Sequence, residues 1–80
     1  MDQDRFEWDA KKAETNRQKH GVSFQEASTV FDDPLLFVER DIDHGERRYL
    51  AIGKSGWNQH RVLFVVHIEL DGDRIRIISA

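Results

Sequence analysis

Arg5-Phe6-Glu7-Trp8 alternates polar and apolar positions as a short strand does, and Asp9 then offers a side-chain oxygen to the free amides of a helix beginning at Ala10. The helix is expected to run through Lys11, Ala13, Asn16 and Lys19 and to close at Gly21, which adopts left-handed angles without strain. Ser23-Phe24-Gln25-Glu26 has capping-box spacing, with the Ser23 hydroxyl accepting from the Glu26 amide and the Glu26 carboxylate reaching back to the Ser23 amide. Phe24, Ala27 and Phe31 then form one apolar stripe, and Asp32-Asp33-Pro34 ends this second helix, because residues before proline avoid helical angles.

From Leu35 the pattern turns to strands. Leu35 to Asp41 and Arg47 to Lys54 flank a polar loop, Ile42-Asp43-His44-Gly45-Glu46; Ser55 to Gln59 make a turn; His60 to Leu70 and Asp73 to Ser79 follow. Asp71-Gly72 between the last two suits a two-residue type I′ hairpin. That loop length pairs Ile68 with Ile75 and Val66 with Ile77 on an apolar face directed at the helices. It also pairs Glu69 with Arg74 and His67 with Arg76 on the other face, where Arg61 lies further along the same strand. The expected class is α+β: an antiparallel sheet with two N-terminal helices packed on one face, in a single domain over residues 1–80.

Charge sharpens this picture. The chain carries 12 Lys and Arg against 15 Asp and Glu, a net charge of −3, which by itself disfavours a nucleic-acid binder. The average conceals an asymmetry, because all of the acidic excess falls before Arg47 and the segment from Arg47 onward is net basic. The C-terminal half therefore faces any polyanion. With no cysteine, disulfide frameworks, thiolate metal sites and cysteine nucleophiles are excluded, and a cytoplasmic location is expected. The N-terminus lacks an apolar signal-peptide core, and the run Val62 to Val66 is far too short to span a bilayer.

Solvated sheet faces ordinarily carry cross-strand Glu–Arg pairs, so the basic hairpin face has a purely structural explanation as well as a chemical one. In the chemical one, arginines hold a phosphodiester and stabilise charge that builds in a transition state, while a histidine moves a proton. Lys19-His20 are RNA-contact candidates, although cations at a helix C-terminus also serve the helix dipole. His44 and Glu46 share a loop and suit acid–base work or plain solvation. Trp8 beside Phe6 reads as core; Trp57 in a turn reads as a base-stacking or partner contact. His20, His44, His60 and His67 match no zinc spacing, and neither a metal nor another cofactor is expected.

Phe6-x-Trp8-Asp9, Lys12-Ala13, Asn16, Lys19-His20-Gly21-Val22-Ser23-Phe24-x-Glu26-Ala27, Val30-Phe31-x-Asp33-Pro34, Glu46-x-Arg48, Ile52-Gly53, Arg61-Val62-Leu63, Val65-Val66-His67 and Arg76-Ile77-Ile78-Ser79-Ala80 together resemble the BrnT family, in order and over essentially the whole chain. The resemblance implies a fold like that of the RelE ribonuclease toxins, with helices on one side of the sheet and RNA on the other. It implies metal-independent RNA cleavage that inhibits translation, and neutralisation by a BrnA-type antitoxin through which alone the toxin meets DNA. It also implies a further arginine and a basic C-terminal helix beyond Ala80, where this sequence ends.

On this reading Arg61 and Arg76 neutralise the phosphate, His67 is the first candidate acid or base and Glu46 the second, and Lys19, Arg48 and Arg74 bind RNA. The rival expectation is a catalytically inactive truncated toxin that serves only as an antitoxin-binding module.

Overall fold

In the computed structural model, residues 5–41 and 47–80 are described; His44 and Glu46 lie outside them. The first helix, α1 (Ala10–His20), forms as its caps dictate. The Asp9 carboxylate accepts from the Lys12 amide at 2.9 Å, and Gly21 at φ 69° donates its N–H to the Arg17 carbonyl. The second, α2 (Phe24–Ser28), is shorter than the apolar stripe suggests and passes into a 3-10 turn over Thr29–Asp32. Ser23 Oγ accepts from the Glu26 amide at 3.0 Å, as a capping box requires.

The other half of the box does not form. The Glu26 carboxylate turns inward, accepting from Ser55 Oγ at 2.6 Å and from an Arg61 guanidinium nitrogen at 3.3 Å. Burial explains the choice: Glu26 is 5 % exposed, and a buried carboxylate needs charge-assisted or hydroxyl donors to offset lost hydration. Ser55 Oγ in turn accepts from the Trp57 and Asn58 amides, so this one carboxylate anchors the 55–60 turn to α2.

Among the described residues, five strands complete an α+β fold: β1 (Phe6–Glu7), β2 (Phe37–Arg40), β3 (Arg48–Lys54), β4 (Val62–Glu69) and β5 (Ile75–Ser79), in the spatial order β1-β5-β4-β3-β2. The sheet is mixed rather than antiparallel throughout, because β1 pairs in parallel with β5. Nearly the whole chain separates these two strands, so no hairpin dictates their direction. The parallel register puts Phe6 beside Ile75, with its ring 5.5 Å from Phe31, and Glu7 beside Arg76.

The core packs Val22, Phe24, Ala27 and Val30 against Ala51, Leu63, Val65, Ile75 and Ile77. Gly53 permits the closest approach, since a Cβ there would lie 3.1 Å from Val30 Cβ and 3.2 Å from the Val30 carbonyl oxygen. Among the described residues, no helix is long and apolar enough to cross a membrane.

Because Glu26 joins α2 to the 55–60 turn, Glu26→Ala is expected to destabilise the fold by about 2–4 kcal/mol in urea unfolding, leaving buried donors without an acceptor. A loss below about 1 kcal/mol would show that the turn holds itself in place.

Candidate functional site

The last hairpin decides the site, and its loop has three residues, Asp71–Asp73, where the sequence suggested two. Leu70 and Arg74 close it, the Leu70 amide donating to the Arg74 carbonyl at 2.7 Å, while Gly72 (φ 71°) and Asp73 (φ 61°) take left-handed angles. His67 therefore pairs with Ile77, Ile68 with Arg76 and Glu69 with Ile75. A slip of one residue exchanges faces along a strand. The expected pairs of His67 with Arg76 and of Ile68 with Ile75 are thus corrected: His67 lies on the buried face and Arg76 on the opposite, open one.

The open face has a clear internal order. At one end, Phe37, Ile52 and Phe64 stand directly opposite one another across β2, β3 and β4, and the two phenylalanines are 56 % and 57 % exposed. At the other end the row is Arg48, Ile68, Arg76 and Glu7 across β3, β4, β5 and β1. Strand spacing puts the Arg48 and Arg76 Cα atoms roughly 10 Å apart, within converging reach of two long side chains. Glu7 is the polar centre of this end: one carboxylate oxygen accepts from Arg76 at 2.7 Å and the other from Arg74 at 2.9 Å. A half-buried carboxylate held between two guanidiniums is a proton acceptor set beside two anion-binding groups. The structure thus brings together Arg48, Arg74 and Arg76, and adds Glu7. Sequence reasoning missed Glu7 because its partners arrive through a parallel pairing that no local pattern announces.

Arg61 does not join them. It precedes β4 and pairs with Glu26, whereas the β4 partner of Arg76 is Ile68, about 23 Å further along the strand. Arg61 and Arg76 therefore lie far apart along the sheet. Lys19 lies elsewhere again, in a groove between α1 and the end of β5. Trp57 is exposed in the 55–60 turn, while Trp8 packs edge-on against Phe24 at 6.0 Å.

His67 is enclosed, at 0 % exposure, with the Phe31 ring edge-on at 4.9 Å and Tyr49 stacked at 5.7 Å. Among the described residues neither ring nitrogen has a hydrogen-bond partner, and the nearest carboxylate oxygen, on Glu69, is 3.7 Å from Nε2. Burial pushes the imidazole below its ordinary value; nearby backbone and the Glu69 carboxylate oppose that shift without reversing it. The enclosed ring thus packs beside Phe31 and Tyr49 on the face opposite the open one.

A family model described as "Ribonuclease toxin, BrnT, of type II toxin-antitoxin system" matches residues 8–80. No curated protein matches the chain.

The His67 environment predicts a pH dependence. Its folded value lies below the unfolded value of 6.5, so the unfolded chain takes up the proton first. This contribution is complete above pH 6.5 and is lost as pH falls through the window between 6.5 and the lower folded value. Urea unfolding across that window should show stability declining on acidification, with a flatter profile for His67→Phe. An equal slope in that variant would assign the dependence to other groups.

Proposed function

The chain belongs to the BrnT family of type II toxin–antitoxin ribonuclease toxins, and from that membership we propose that it cleaves RNA on the open face of the sheet without a metal, in a RelE-like arrangement. The observation that carries this reading is the Glu7 carboxylate held between Arg74 and Arg76, with Arg48 in the same row.

In the proposed reaction Glu7 accepts the proton of a ribose 2′-hydroxyl. The 2′-oxygen bonds to the adjacent phosphorus as the bond to the 5′-oxygen breaks. The products are a 2′,3′-cyclic phosphate and a 5′-hydroxyl, the leaving oxygen taking its proton from water. Arg76 transfers from Glu7 to the non-bridging phosphate oxygens, where charge builds, and Arg48 and Arg74 steady the flanking backbone. Phe64 and Phe37 offer ring faces on which neighbouring bases stack. His67 takes no part in this scheme, and Arg61 holds Glu26 rather than the scissile phosphate. Glu46 remains a candidate second carboxylate.

Neutralisation is assigned to a BrnA-type antitoxin, which also supplies any contact with DNA, and the setting is the bacterial cytoplasm, where cleavage inhibits translation. A second reading, a non-catalytic antitoxin-binding module, draws on the exposed apolar patch of Phe37, Val62 and Phe64 on the open face.

Single-stranded RNA incubated with the protein in EDTA should be cut, leaving cyclic-phosphate ends. Arg76→Ala and Glu7→Gln should each slow cutting by about a hundredfold or more with folding retained, the scale expected for removing a charge-stabilising or proton-accepting group. No cleavage by the wild-type protein would favour the binding module; undiminished cleavage by both variants would move the site elsewhere.

A further inference from the structure

The acidic total hides one strongly basic element. Helix α1 contains Lys11, Lys12, Arg17 and Lys19 against one acid, Glu14, which is consumed by Arg17 at 2.6 Å. None of the ion pairs among the described residues involves Lys11, Lys12 or Lys19. Lys12 and Lys19 are seven positions apart and so share one helix face, about 10 Å apart along the axis. Between this face and the end of β5 runs a groove of about 500 Å³, walled by lysines, Thr15 and His20 and floored by Ile78 and Ser79. Asp9, its one acidic lining residue, already accepts from the Lys12 amide at the helix cap.

The groove does not stand alone. His20 and Ser79 also line a second groove of about 450 Å³, whose other walls include Arg61 and Phe64. Phe64 belongs to the open face described above. The sequence of surfaces is therefore lysines, His20, Arg61 and then Phe64, a cationic path that rounds the end of β5 and reaches the open face from behind.

We infer that this path is a second RNA-binding track, which engages the phosphate backbone of a substrate strand several nucleotides from the bond cleaved on the open face. It rests on the proposed ribonuclease reading for its direction, and it adds the substrate class: an extended single strand rather than a dinucleotide. Lysines without carboxylate partners suit a sequence-independent backbone contact, because each phosphate neutralised releases counterions. Arg61 acquires a role here compatible with its bond to Glu26, since its side chain remains 39 % exposed.

The test uses binding without cleavage. A fluorescein-labelled oligouridine of about twelve nucleotides, 2′-O-methylated throughout so that it lacks the nucleophile, is titrated with the full chain and followed by anisotropy. Wild-type protein should bind it with a marked salt dependence. Lys12→Ala/Lys19→Ala, two changes at exposed positions to a better helix former, should lower the slope of log affinity against log salt by about 1.4, so the wild-type advantage shrinks about sevenfold between 50 and 200 mM salt. An unchanged slope and affinity would overturn the track. So would polyglutamate of matched charge competing as well as unlabelled RNA, which would give the groove to an acidic protein segment. Because the probe cannot be cut, the lysine-dependent salt slope is read separately from the Arg76→Ala cleavage assay, so failure of the track and failure of the ribonuclease reading give different results.

Discussion

The pairing of Ile68 with Arg76, and of His67 with Ile77, fixes which side chains of the last hairpin can meet. A two-residue loop would have set His67 beside Arg76 on one surface. The three-residue turn buries the imidazole between Phe31 and Tyr49 and leaves the arginine outside, where the parallel strand β1 delivers Glu7 to it. Three elements remote in sequence thus determine one charged cluster: the turn at Asp71–Asp73, the β1–β5 pairing and the β3–β4 ladder that brings Arg48 into the same row.

Net charge is a poor guide to this molecule because many of its acids serve its own scaffold. Asp9 caps α1, Glu26 anchors the 55–60 turn, and Asp33 accepts from the Leu35 and Lys54 amides, which hold its carboxyl below the ordinary range. Carboxylates engaged in this way contribute to the formal total while their lone pairs are taken up by the protein's own donors. Lys11, Lys12 and Lys19, by contrast, have no such partners among the described residues. The division into an acidic first half and a basic second half, read along the chain, therefore hides a basic helix within the acidic half.

Signals confined to a few neighbouring residues were legible in the sequence: the Asp9 and Gly21 caps, the Ser23 hydroxyl on the Glu26 amide, the five strand regions and the core position of Trp8. Long-range placements were not. The segment Val62 to Ile68 is apolar at nearly every position, so alternation could not say which half of it turns inward, and the outcome is Leu63, Val65 and His67. The Glu26 carboxylate looked like half of a capping box, because its true partners, Ser55 and Arg61, lie about thirty residues away along the chain. Of the residues singled out for chemistry, Arg48, Arg74 and Arg76 share a surface; Arg61, Lys19 and His67 occupy three other places, and Glu46 lies outside the described residues.

In the proposed function, RNA engages the open sheet face at Glu7, Arg48, Phe64 and Arg76. Chemical-shift mapping by NMR with a short 2′-deoxy-substituted RNA, which binds but has no nucleophile at the scissile position, tests it most directly. The largest perturbations are expected on those four residues, with the His67 ring silent. Perturbations centred on His67 and Tyr49, with Arg76 and Glu7 unmoved, would contradict it.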